Sequence, residues 1–204
     1  MGISSTGAEP LVKSEITNNG VISVTGTNTT GIYGSHTNIL NTGNITAGNG
    51  FDSGLTIEYA AGIIGNNSSI NIQSGAIQSG NYSIGAAATG DSVLNITGGT
   101  ISVGDNSIFN YIKRGTGTNV TLTDSSGGTY DLNRSKQIGI YSEEGDVASN
   151  KTLEVRNGTG SIGLYAQNNG NVRGEKHHHD HRQRRRIHPL GDDDLRCARH
   201  HPRD

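Results

Sequence analysis

The chain of 204 residues has no tryptophan, one cysteine, one methionine, two phenylalanines and three prolines. Each shortage removes a class of protein. With aromatics at 4% and hydrophobic residues at 30%, there are too few large side chains for a thick globular core. The single cysteine, Cys197, excludes a disulfide scaffold, and no cysteine-based zinc site can be built from the residues before it. No run of eighteen apolar residues occurs, so no transmembrane segment is expected in this chain. Met1 to Gly20 lacks a charged stretch followed by an apolar one, so no export signal is expected within the chain itself.

What is present is glycine, 31 residues of it, among many Ile, Val and Thr. Disorder usually comes with high net charge and few β-branched residues, whereas only 17% of this chain is charged. A thin, repetitive β-core reconciles the two. The composition changes near Gly174. Up to that residue there are 8 basic and 12 acidic side chains; from Glu175 onward there are 8 and 6, together with seven of the eight His and one of the 31 Gly. Two regions are therefore expected: a repeat region over 1–174 and a disordered His/Arg-rich tail over 175–204.

The repeat region is built from two phrases. One is Gly-Ile-Tyr, at Gly31-Ile32-Tyr33 and Gly139-Ile140-Tyr141, with Gly163-Leu164-Tyr165 close to it. Looser copies are Gly62-Ile63-Ile64, Ile84-Gly85-Ala86 and Ser107-Ile108-Phe109. The other ends in Gly-x-Ile, at Leu40 to Ile45, Ile72 to Ile77 and Ile96 to Ile101, with Thr17 to Ile22 and Thr123 to Leu132 as further copies. Gly20, Gly43, Gly75, Gly99 and Gly128 mark its recurrence, at intervals that are irregular but confined.

Within the phrases apolar and polar residues alternate, as in Val93-Leu94-Asn95-Ile96-Thr97, which predicts strands with one buried face. Gly and Asn between them supply turns at little steric cost. No stretch has a helical period. Short strands, Gly/Asn turns and a period in the twenties predict an all-β protein, a right-handed parallel β-helix (solenoid) with irregular coils. At ~25 residues and ~4.8 Å per coil, the region makes about seven coils and a rod roughly 34 Å long. A β-sandwich of up-and-down strands is the alternative.

These phrases, in a cysteine-free body, resemble the passenger domains of classical autotransporter adhesins. The resemblance covers about residues 1–174. It implies a non-enzymatic rod at the cell surface or outside the cell, exported through an outer-membrane barrel as part of a longer parent. Its implied partners are host or neighbouring-cell surface molecules. Met1-Gly2-Ile3-Ser4 fits the first phrase, Gly2 lying one repeat before Gly31, so the sequence opens within a coil. Uncapped coil edges are expected to promote self-association.

In the tail, His177-His178-His179-Asp180-His181 has the donors of a tag-like transition-metal site. Arg182 to Arg186 have no aromatics nearby and precede Asp192-Asp193-Asp194, so no nucleic-acid partner is expected. His and Asp codons read one base later encode Ile, Thr or Met, and Arg codons of the CGN type encode Gly, Ala, Val, Asp or Glu, a set that includes the vocabulary of the repeat region. A frameshift origin for the tail is therefore expected, and with it the alternative that the chain is a gene fragment without independent function.

No catalytic, cofactor-binding or metal residues are assigned, and no cofactor is expected. A carbohydrate-active β-helix enzyme is the runner-up, but Asp91, Asp105, Asp124 and Asp131 do not recur at one phase of the repeat and are expected to be solvated turn acids. Glu143, Glu144 and Asp146 form an oxygen-rich loop without the glycine-aspartate nonapeptide of calcium-binding β-rolls. His36 is expected to be a turn residue, and the Tyr of the Gly-Ile-Tyr phrases to stack along the rod.

Overall fold

A computed structural model describes residues 1–7 and 13–174. The tail 175–204, with the expected disorder, frameshift and His177 to His181 cluster, lies outside the described residues. The protein is an all-β parallel solenoid, as the repeat predicts.

Two sheets of seven parallel strands run the length of the rod. The first contains Ile3–Thr6, Thr30–Ser35, Ala60–Asn66, Ser83–Thr89, Ile108–Lys113, Ile138–Glu143 and Ile162–Gln167. The second contains Ser14–Asn18, Thr37–Asn41, Ser69–Ile72, Val93–Ile96, Thr121–Asp124, Asp146–Ser149 and Asn171–Gly174. The third face is irregular. Val21–Val24, Asn44–Ala47, Ala76–Ser79 and Thr100–Ser102 form one sheet, and Thr129–Leu132 and Thr152–Val155 form a separate pair.

Alternation sets which side chains enter. Ile16, Ile39, Ile70, Leu94, Leu122 and Val147 stack in one column inside the second sheet, each in register with its neighbour. Ile22, Ile45, Ile77 and Ile101 form the column of the third sheet. Each aliphatic side chain taken fully from water contributes about 1.5–3 kcal/mol, so stacked columns of Ile, Leu and Val can sustain a core this narrow.

The register confirms most phrase alignments. Gly2 lies beside Gly31, since Ile3 pairs with Ile32, and Ile32 pairs with Ile63. Two alignments slip: Ala86 pairs with Ile63, so the copy in the fourth coil is Gly85-Ala86-Ala87, one residue on from Ile84-Gly85-Ala86, and the copy in the fifth coil is displaced by two. Ala86 pairs with Asn110, so the copy in the fifth coil is Phe109-Asn110-Tyr111, not Ser107-Ile108-Phe109. Phe109 replaces a column of glycines whose Cβ positions are blocked: at Gly62 an added Cβ would strike Ile77 Cγ2. The Phe109 ring packs instead on the buried Tyr130, centroids 5.0 Å apart.

The Asn and Ser content follows from the corners. Buried hydroxyls accept main-chain N–H groups of the preceding coil, as Ser68 Oγ does from Thr37 at 3.0 Å and Ser107 Oγ does from Ser83 at 2.9 Å. Asn18 Nδ2 donates to Asn41 Oδ1 at 2.8 Å inside the rod, and Asn95 Nδ2 donates to Asn71 Oδ1 at 3.2 Å near its surface. These bonds satisfy polar groups that burial would otherwise penalise.

Candidate binding recess

Coil lengths are unequal, and the excess of one coil makes the most distinctive surface feature. Ile32 pairs with Ile63 and Ile63 with Ala86, so the first of these two steps takes up more chain than the second. Part of the longer segment leaves the rod as an antiparallel hairpin, Phe51–Asp52 with Ile57–Glu58. Its tip is tied by Ser53 N donating to Thr56 O at 3.1 Å and Gly54 N donating to Asp52 Oδ1 at 2.8 Å. Gly54 takes φ 79°, a backbone state open to glycine at no steric cost. The Asn28 amide donates to Glu58 and holds the hairpin base to the preceding coil.

The hairpin walls an open recess of about 310 Å³ on the rod, lined by Asp52, Ile57 and Tyr59 from the insertion and by Tyr82, Asn106, Ser107, Ile108, Lys136 and Ile138 from successive coils. Burial, then the charge of Asp52, pushes the Tyr59 phenol up. Asp52 raises the Tyr82 phenol first through hydrogen bonding, with burial and charge adding to it. Among the described residues, neither the Asn106 amide nor the Lys136 ammonium has a hydrogen-bond or ion-pair partner.

Tyr82, Asn106 and Lys136 stand at one corner of consecutive coils, and all three are left-handed, with φ of 49°, 55° and 53°. Asn28 and Gly160, left-handed at the same corner of other coils, are residues that tolerate this conformation. Tyr and Lys tolerate it less well.

Beside the recess, Tyr111, Tyr141 and Tyr165 form a register column on the outside of the first sheet. Their ring centroids are 5.1 and 4.9 Å apart; Tyr141 and Tyr165 stack, as expected of the phrase, while the Tyr111 ring is tilted against Tyr141. Tyr33 occupies the same column nearer the start, separated from them by Ile64 and Ala87. Burial, then Glu143, raises both the Tyr111 and Tyr141 phenols.

The acids singled out in the sequence are dispersed. Asp91 accepts from the backbone of Asn119 and Thr118, which hold its carboxyl below the usual range. Asp105 accepts from Ser135 N at 2.8 Å, and Asp131 is exposed. Asp124 is a correction: it is buried, because its register with Ile96 puts it on an inward column. In the oxygen-rich loop, Glu143 pairs with Lys113 at 3.2 Å and Glu144 with Arg114 at 3.4 Å, while Asp146 is exposed. No group of three His, Cys, Asp or Glu able to hold a metal is found among the described residues. His36 is a turn residue, with φ 52° and its Nε2 3.2 Å from Asn67 Nδ2.

The recess itself is not foreseen from the sequence. Its only local signal is Asp52-Ser53-Gly54, a turn with apolar residues on either side and no counterpart in other coils. In comparisons with protein families, curated proteins and solved structures, nothing matches the chain.

Proposed function

We propose that this chain is a non-enzymatic segment of an autotransporter-like surface passenger, acting in adhesion to host or neighbouring cells. The observation that carries this reading is the recess: the rod bears a hairpin-walled hollow lined by aromatic, amide and ammonium groups. Hydrolysis of a glycosidic bond by the usual route needs two carboxylates on either side of it. The recess has one carboxylate, Asp52, engaged by Tyr82 and Gly54, which favours binding over cleavage.

The hairpin also supplies apolar contact. Leu55 at its tip is 95% exposed, and Phe51 and Ile57 flank it, about half exposed. Exposed apolar side chains grouped on one projection mark interaction surfaces.

The test is adhesion of beads carrying the full chain to epithelial and bacterial cells, compared with a variant in which residues 51–58 are replaced by a short Asn-Gly turn. Adhesion that depends on the hairpin is expected. Adhesion no greater than that of blank beads, or unchanged by the replacement, would overturn the reading.

A further inference from the structure

The recess suggests what is bound, an inference that rests on the adhesive reading. It has two unequal sides. Asn106 and Lys136 present an amide and an ammonium without partners among the described residues, while the Asp52 carboxylate is occupied by its neighbours. Tyr59 and Tyr82 supply aromatic surface, and Ile57, Ile108 and Ile138 apolar surface. Free donors beside aromatic rings suit a ligand with a carboxylate attached to a ring that has one apolar face. A carboxylated pyranose is such a molecule: its axial C–H groups lie on an aromatic ring and its carboxylate meets the charged donor. At about 310 Å³ the hollow lies at the low end of small-molecule sites, roughly 300–1,000 Å³, which matches one sugar ring rather than a chain of them.

The backbone adds an independent argument. Tyr82 and Lys136 occupy left-handed positions where Asn or Gly would be less strained, and both line the recess. Strained residues persist where their side chains serve a function. We propose that the recess binds a terminal carboxylated sugar of a glycan, with Lys136 and Asn106 holding the carboxylate and Tyr59 and Tyr82 covering the ring. Uronic and sialic acids share this chemistry.

The experiment is saturation-transfer NMR and calorimetry on the full chain with methyl glucuronide, methyl sialoside and neutral methyl glucoside. At least one acidic sugar is expected to bind about tenfold or more tightly than the neutral one, as a charge-assisted hydrogen bond allows. Binding of the glucuronide alone identifies uronic-acid polymers as the source, and binding of the sialoside alone identifies sialylated chains; either result supports the site. Tyr82→Asn and Lys136→Asn are each expected to raise Tm, because Asn suits the left-handed backbone, and to weaken acidic-sugar binding about tenfold. No binding of either acidic sugar, or equal binding by the Lys136→Asn variant, overturns the proposal. Hairpin-dependent adhesion that acidic sugars fail to inhibit would defeat the ligand assignment and leave the adhesive reading standing.

Discussion

The Tyr130 hydroxyl donates to Asp124 Oδ2 at 2.5 Å inside the rod, with both side chains almost wholly removed from solvent. Around this bond, Asn110 Nδ2 donates to the Tyr130 oxygen at 2.9 Å and Ser126 Oγ donates to the other carboxylate oxygen at 2.6 Å. The Lys151 ammonium lies 4.9 Å above the Tyr130 ring. The cluster occupies the coils where the third face breaks from one sheet into another. A buried carboxylate is tolerable only while it remains hydrogen-bonded.

Tyr130→Phe removes one donor to that carboxylate without opening a large cavity. It is expected to cost about 1–3 kcal/mol, the penalty for a buried acceptor that loses its partner. Urea unfolding of the full chain measures it, and an unchanged midpoint would mean that Asp124 finds another donor.

Alkaline pH should destabilise the rod. The phenols of Tyr59, Tyr82, Tyr111, Tyr130 and Tyr141 are all raised, Tyr130 chiefly by burial and then by Asp124. Groups raised in the folded state contribute stability that is full below their unfolded value, about pH 10, and is lost as pH rises through the folded values. Lys151 acts in the opposite sense: burial lowers its ammonium, so its contribution rises with pH between the lowered value and the ordinary lysine range. Tyrosines outnumber it. Thermal melts should show Tm falling above about pH 10, and absorbance titration should show several phenols ionising late.

Glycine substitutions should divide by place. At Gly62 an added Cβ would strike Ile77 Cγ2 and lie 2.5 Å from the Gly85 carbonyl oxygen, so Gly62→Ala is expected to cost about 1–3 kcal/mol through overpacking. Gly20 has no heavy atom within 4 Å of its Cβ position, and Gly20→Ala should lie within about 0.5 kcal/mol of the parent. Chemical denaturation of both variants makes the comparison.

The two faces of a strand should differ as sharply. Ile70 is fully buried in its column, and Ile70→Ala should cost about 2–5 kcal/mol. Val93 points outward and is 40% exposed, so Val93→Ala should change stability by less than about 0.5 kcal/mol. Equal effects in denaturant melts would contradict the inward and outward assignment.

The solenoid is legible in the sequence because its core repeats. Ile32, Ile63 and Ile140 occur in recognisable phrases, and stacking obliges each coil to bring the same kind of residue to the same place. Phe109 escapes correct alignment because it fills a position that glycine holds elsewhere, supported by Tyr130 instead of an isoleucine column. Asp124 resembles a turn acid in the sequence because Tyr130, which donates to it inside the rod, lies on another face of the coil. The recess joins Asp52 to Lys136, a pairing that depends on coil register and on a hairpin with no repeat counterpart. His36 at its corner is foreseen; the left-handed Tyr82 and Lys136 are not, since neither residue signals such a backbone.

Parallel stacking of the coils underlies both the core and the recess. Glu15, Asn38, Ser69, Val93, Thr121, Asp146 and Asn171 form one register column. In a Cys197→Ser background, spin labels would be attached at Glu15→Cys paired in turn with Thr121→Cys, Asp146→Cys and Asn171→Cys. Dipolar spectroscopy should give backbone separations of about 19, 24 and 29 Å, rising by about 4.8 Å per coil however much chain lies between. Separations that fail to increase in that order, as in a sandwich of up-and-down strands, would contradict parallel stacking.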